Sequence, residues 1–373
     1  MALGARDLSL LVLPTGWDAA TLKKFDIENS TDFTSVVGML NSALAALNAE
    51  LRADPLWSSL VSYTDQPDTE YRVGTSSDMV EFTEYGKADI GHGATEGHML
   101  PIKAWTHRLG WTWSYLKRSR MSQLEADIAD GLNAIRNRYR KLVLTRLLKN
   151  GDDSGATYGL GSSGYSPGFA TTAGSTSVDF VPPSWGGVDF ANTHEHYVGI
   201  GGGAWTLAAF QDMKAELREH GHAASYEFIT GASDEAAIRA LTQFTPVAES
   251  NVRLGATQDV ATLSNVLNAN GSYYIGTIED IAVRIVPGMP QYYGFAWKTY
   301  GPNSQRNPLR VRLEKGFNSP SVIAMPDPNV SGNANFPVQS LMMYLEMGVG
   351  VGDRTNGTPR YNNNATWADG VAT

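Results

Sequence analysis

The chain has 373 residues, 42% of them hydrophobic and 18% charged, with a formal net charge of −9 and no cysteine. That length and apolar content can supply cores for about two units, and 10% aromatic residues exclude a disordered chain. Lack of thiols excludes disulfides, thiolate metal sites and cysteine nucleophiles, while net acidity leaves no global field toward nucleic acid or anionic lipid.

The opening "MALGARDLSLLVLPTGW" has an apolar run, Leu8 to Pro14, that is too short to span a bilayer and lacks a signal cleavage site. Between Asn29 and Leu51, Phe33, Val36, Val37, Leu40, Leu44 and Leu47 recur at helical spacing, and Asp54-Pro55 ends the pattern. Glu70–Gly74 and Asp78–Gly86 read as the two strands of a long hairpin. It carries Glu81, Glu84, Lys87 and Asp89 and little apolar material of its own. Alternation from Ile102 to Leu116 puts Trp111, Trp113 and Tyr115 on one strand face, which reads as core packing rather than a sugar platform.

Ser122 and Glu125 have the spacing of a capping box. Behind them Leu124, Ile128, Leu132, Ile135, Tyr139, Leu142 and Leu147 form one stripe, and Asn150-Gly151 closes it. A helix of about 27 residues would reach about 40 Å. Basic residues cluster in Arg136–Lys149 and read as that helix's surface.

Gly151–Ser177 is rich in Gly, Ser and Thr and reads as a loop. Thr206 is placed to cap a helix carrying Leu207, Phe210, Met213 and Leu217 inward. A strand over Ser225–Gly231 follows, then a short helix capped by Ser233 and running through Leu241. Thr277–Pro290 reads as a strand, with Ile281, Val283 and Ile285 opposed to Arg284, and Leu309–Glu314 alternates cleanly. After a loop from Phe317 to Phe336, a last strand, Val338–Met347, runs into "GVGVGDR". The helix-strand-helix unit is thus inserted into a domain that begins before it and ends after it.

Chemistry is sought first in "NTHEHYVGIGGGAW", Asn192 to Trp205. His194 and His196 would share a face if extended, as some metal sites require, and His92 with His98 and His220 with His222 are further pairs. No HExxH or comparable spacing supplies a third ligand. The reading is therefore polar loop histidines, with no metal and no cofactor. Gly199, Gly201, Gly202 and Gly203 follow a polar segment and precede no Lys-Ser/Thr pair, so they read as a hinge rather than a phosphate loop. No catalytic residue is assigned: the chain reads as not an enzyme.

The order of these elements resembles the major capsid protein of tailed bacteriophages, the Hong Kong 97-like fold. "MSQLEADIADGLNAIRNRYRKLVLTRLLKNGD" looks like the family's spine helix, and "TLAAFQDMKAELREHGHAASYEFITGASDEAAIRAL" like the opening of its axial (A) domain. "IGTIEDIAVRIVPGMP" looks like the family's G-x-I-x-x-I-x-V-x-x-x-P-x-x-P strand, and "YLEMGVGVGDR" resembles the closing strand of the peripheral (P) domain. The resemblance implies an α+β fold: an N-terminal arm and helix over 1–62, an E-loop hairpin over 63–100 and a P domain over 101–198 with its spine helix at about 123–149. An A domain over 199–316 and a return to the P domain over 317–373 complete it. It implies hexamers and pentamers of this chain closing into an icosahedral virion shell around double-stranded DNA, assembled in the host bacterial cytoplasm. DNA contact would be without sequence specificity, through local inner-surface patches. Portal and decoration proteins are further implied partners, and no membrane is.

In the resemblance the E-loop residues Glu81, Glu84, Lys87 and Asp89 serve the assembly interface. Some relatives join an E-loop lysine to an asparagine of another subunit, which would make Lys87 the donor and Asn356 or Asn362 the acceptor. Some also begin with a cleaved scaffold segment of roughly a hundred residues. The arm here starts almost at Met1, so a separate scaffolding protein is expected. Two alternatives stay open: an encapsulin-type compartment shell, which the length and the long 63–100 excursion disfavour, and a β-rich metal-dependent hydrolase using the histidines and aromatics.

Overall fold

The computed structural model describes residues 33–74, 94–112, 115, 119, 121–155, 164–172, 180–246, 271–326 and 338–372. Glu81, Glu84, Lys87, Asp89, His92, Trp113 and the predicted strand 78–86 lie outside the described residues. Two compact units are formed. One comprises Met1–Ala53, Lys103–Tyr139 and Leu313–Met347; the other comprises Asp54–Ile102, Arg140–Arg312 and Gly348–Thr373. The bounds expected at 198/199 and 316/317 coincide with neither.

In the first unit, the helix predicted from Asn29 is Phe33–Ala53, with Leu40, Leu44, Leu47 and Leu51 as its buried stripe. Asn48 straps this helix to the chain at Val322, accepting its N–H at 2.9 Å and donating to its carbonyl at 3.3 Å. Arg136 grips Glu50 through two hydrogen bonds of 3.0 and 2.6 Å, the forked geometry that makes an ion pair specific. Strand Val338–Val351 is flanked antiparallel by Lys103–Thr112 on one side and Ile323–Pro326 on the other. Trp111 faces inward, 3% exposed, and its indole N–H donates to Asp127 at 2.8 Å. Tyr115, predicted beside it, is instead exposed, because the strand has ended at Thr112.

The long helix is Met121–Leu148. It starts one residue before Ser122, so Ser122 and Glu125 lie inside the helix and do not form its cap. Leu124, Ile128, Ile135, Tyr139, Val143, Leu144, Leu147 and Leu148 are buried, whereas Leu132 and Leu142 are half-buried. Arg146 departs from the surface reading of the basic stretch. It is buried and donates to the carbonyls of Ser166, Lys149 and Gly151, satisfying acceptors at and just beyond the helix's C-terminal end.

In the second unit, Asp54-Pro55 starts a helix, Pro55–Leu60. Asp54 Oδ1 accepts the N–H groups of Leu56 and Trp57 at 2.9 and 3.3 Å, and proline at the first position loses no hydrogen bond. Val61–Thr64 runs parallel to Leu309–Leu313. Asp68–Val73 pairs with Ala94–Met99; the partner predicted from the sequence, 78–86, is among the residues not described.

A seven-stranded sheet dominates this unit, in the order Val198–Gly199, Thr358–Tyr361, Tyr293–Lys298, Tyr226–Thr230, Ile281–Ile285, Tyr273–Ile278, Thr245–Pro246. Helix Leu207–Glu219 is capped by Thr206 as predicted, its hydroxyl accepting from Ala209 N at 3.3 Å. Trp205, Phe210, Met213 and Leu217 pack with Phe228, Ile275, Ile281 and Val283 of the sheet, and each such fully buried side chain contributes roughly 1.5–3 kcal/mol. The single strand predicted over Thr277–Pro290 is in fact part of a hairpin: Tyr273–Ile278 returns as Ile281–Ile285. Glu279 and Asp280 make its turn at φ 51° and 68°, positive values that a two-residue type I′ turn demands. Lys214 holds that turn, reaching the Glu279 carbonyl at 2.8 Å and the Asp280 carboxylate at 3.1 Å. No described helix is long and apolar enough to cross a membrane.

Candidate functional site

Three histidines meet inside the second unit. Helix Leu207–Glu219 ends on His220, and Gly221 at φ 78° turns the chain so that His222 N–H returns to the Leu217 carbonyl at 3.0 Å. This is a glycine helix stop, for which a Cβ-bearing residue would be strained. It leaves His220 pointing at the segment carrying His194 and His196. The Nε2 atoms are 2.9 Å apart for His194 and His220, 2.9 Å for His196 and His220, and 3.0 Å for His194 and His196. Glu219 Oε1 lies 3.3 Å from His194 Nε2 and 3.8 Å from His220 Nε2.

His196 and His220 are buried, and His194 is half-buried, which corrects the reading of this stretch as polar loop residues. Phe190 covers one side, its ring 4.9 Å from that of His194 and 4.3 Å from that of His220. The His196 Nδ1–H donates to the Gly357 carbonyl at 2.7 Å, which fixes the tautomer and leaves Nε2 with its lone pair. Burial disfavours the imidazolium form in all three. It holds His194 below its ordinary value, His196 well below, and His220 at about 2, the neighbouring histidines adding to the last two. Beside them Arg360 binds Glu216 at 2.7 Å and the His196 carbonyl at 2.9 Å.

His222 belongs to a different set. Its Nδ1 is 2.7 Å from the Tyr300 hydroxyl and its Nε2 3.0 Å from Thr355 Oγ1, while that hydroxyl also lies 2.7 Å from Asp353 Oδ1. The carboxylate can only accept, so the Thr355 proton goes to Asp353 and the histidine donates. This arrangement locks a loop and does not activate a nucleophile. His98, paired with His92 in the sequence reading, is buried, with Nε2–H donating to the Val351 carbonyl at 3.1 Å. Burial, aided by Arg354, holds its pKa at about 3.

The two asparagines considered as crosslink acceptors are both fully buried. The Asn356 amide is engaged throughout, accepting from Lys298 N at 2.8 Å and donating to the carbonyls of Lys298 and Arg306 at 3.0 and 2.7 Å. An isopeptide bond needs an amide that a lysine of another subunit can reach, and this fold presents neither asparagine at its surface. The glycines of the Asn192–Trp205 stretch do turn the chain: Gly201, Gly202 and Gly203 all have positive φ. Their segment is tied to the C-terminal part of the chain, Gly203 N–H bonding the Asn362 carbonyl at 2.7 Å.

No family model and no curated protein sequence matches the chain. Among solved structures it is similar to one of Mycobacterium phage Patience, at 15% identity over 92% of this chain and 92% of that chain, with a TM-score of 0.63. It is also similar to the asymmetric unit of the bacteriophage PhiM1 mature capsid (10% identity, 83% and 87% covered, TM-score 0.48). A third is the capsid of the native GTA particle computed with C5 symmetry (12%, 85% and 91%, 0.46). The chain therefore shares a mixed helix-and-sheet fold with the phage Patience chain along nearly the whole of both.

Proposed function

We propose that this chain is the major capsid protein of a tailed phage, a non-enzymatic subunit that self-assembles into the icosahedral head enclosing double-stranded DNA. The observation that carries the reading is the end-to-end correspondence with the phage Patience chain, 92% of both at a TM-score of 0.63. The order of elements in the sequence leads independently to the same family. On this reading Met121–Leu148 is the spine helix, helix Leu207–Glu219 and the sheet strands between Tyr226 and Lys298 belong to the A domain, and residues 63–100 are the E-loop. Hexamers, pentamers, a separate scaffolding protein and a portal belong to the same proposal, as does assembly in the host cytoplasm. A crosslink through Asn356 or Asn362 does not.

The E-loop charges supply a test. A variant with Glu81, Glu84, Lys87 and Asp89 all replaced by serine is expected to keep the circular dichroism spectrum and Tm of the unassembled chain while reducing particle yield at least about tenfold. Undiminished shell formation by this variant would remove the E-loop from the assembly interface.

A further inference from the structure

The histidine triangle cannot be satisfied by protons. A neutral imidazole Nε2 either carries a hydrogen or offers a lone pair, in one in-plane direction, and so is a donor or an acceptor but never both. Three mutual contacts of 2.9 to 3.0 Å form an odd ring, so every assignment of roles leaves two like atoms facing each other. The tautomer of His196 sharpens the conflict: its Nδ1–H is committed to Gly357, so its Nε2 is an acceptor. If His194 and His220 both donate to it, their hydrogens oppose one another. Protonating the rings makes matters worse, because it adds like charges within a buried cluster.

A single cation resolves all three contacts at once. Bonds of about 2.0–2.1 Å to imidazole nitrogens at tetrahedral angles place ligand nitrogens about 3.3 Å apart, within a few tenths of an ångström of the triangle. Three neutral nitrogens and a carboxylate oxygen make the donor set of a borderline divalent ion such as Zn²⁺. Glu219 Oε1, 3.3 and 3.8 Å from two of the nitrogens, is within a side-chain rotation of the fourth position. The His196–Gly357 hydrogen bond is the outer-shell contact that ligating histidines ordinarily make. Glu216 is already matched by Arg360, so Glu219 is the carboxylate left to meet the ion's charge.

We propose that His194, His196, His220 and Glu219 form a four-ligand site for a transition-metal ion of the zinc class. The ion pins the segment carrying His194 and His196 to the C-terminal end of helix Leu207–Glu219. Its role is structural: the four protein ligands fill a tetrahedral shell, leaving no position for substrate, and Phe190 covers one side. The proposal is independent of whether the chain forms shells.

The test uses the full chain without an affinity tag, stripped with a chelator and reloaded with Zn²⁺ alone or Co²⁺ alone. The expected result is about one Zn²⁺ per chain, with Tm raised by at least about 5 °C at a hundredfold excess over Kd. The Co²⁺ form should show the strong visible bands of a four-coordinate ion. His194→Gln, at the half-buried corner, should fold like the metal-free parent and lose more than about 100-fold in Zn²⁺ affinity, beyond the 10–100-fold typical of an outer-shell partner. Glu219→Gln should retain the ion more weakly and alter the Co²⁺ spectrum. Less than about 0.1 Zn²⁺ per chain at saturating zinc, or equal binding by the parent and by a His194→Gln/His220→Gln double variant, would overturn the proposal.

Discussion

Gly348→Ala is expected to destabilise the chain by more than about 3 kcal/mol, at or beyond the upper end for overpacked cores. A Cβ at this position would lie 1.8 Å from the Pro101 carbonyl oxygen, 2.4 Å from its carbon and 2.9 Å from Ile102 Cα. All three atoms are backbone, so relief requires moving the chain and not merely turning a side chain. The "GVGVGD" motif explains itself at this point. Gly350 packs against Leu100 and Ser166, and Gly352 against Asn307, while Val349 and Val351 bury their side chains between them. With a period of two, every glycine falls on one face of the strand, and residues 100–102 cross close to that face at Gly348 and Gly350. Gly131→Ala serves as the control. Its new Cβ would meet the tip of Met343, 2.5 Å away, which can swing aside, and alanine in a helix gains about 1 kcal/mol over glycine. Urea unfolding of the two variants should therefore differ by several kcal/mol in the stated order. Comparable midpoints for both would contradict the close backbone approach.

Asn356→Ala is expected to cost about 3–5 kcal/mol, measured as a lowered urea midpoint at unchanged slope. The residue is fully buried and ties strand Tyr293–Lys298 to the loop at Arg306 through three hydrogen bonds. Truncation strands one N–H and two carbonyls in the interior, each costing about 1–3 kcal/mol, with partial relaxation offsetting part of the sum. Asn356→Asp should be no better despite its matching shape. Its carboxylate still accepts from Lys298 N but faces two carbonyl oxygens with no hydrogen to give. A loss below about 1 kcal/mol for alanine would show that water or a shifted loop replaces the amide.

These two positions show what the sequence could and could not reveal. Helical stripes were legible: Leu40, Leu44 and Leu47, or Phe210, Met213 and Leu217, recur at three and four residues because one face of each helix is buried. Thr206 was legible as a cap for the same local reason. Strand Tyr293–Lys298 was not, because its residues are nearly all buried; a strand covered on both faces loses its alternation. The hairpin at Glu279-Asp280 was hidden because an acidic pair, not Asn-Gly, occupies the positive-φ turn. Its stability comes partly from Lys214, which is distant in sequence.

The histidine cluster was half visible. The H-x-H pair raises the question of a metal, but the sequence reading sets it aside, because the third histidine is 24 to 26 residues away and belongs to another pair. Gly221 separates that pair, sending His220 to the cluster and His222 to Tyr300 and Thr355. The signal that could have found it was the glycine. A helix stop directly after His220 fixes its direction, whereas spacing alone treats the two histidines alike.

Closure of this chain into shells is open to direct observation by electron microscopy of the full chain produced in bacterial cells. The chain should be imaged alone and together with the products of neighbouring genes, so that a separate scaffolding protein is supplied if assembly requires one. The expected result is uniform closed particles built of fivefold and sixfold capsomers. Compact, monodisperse monomers under both conditions would contradict it.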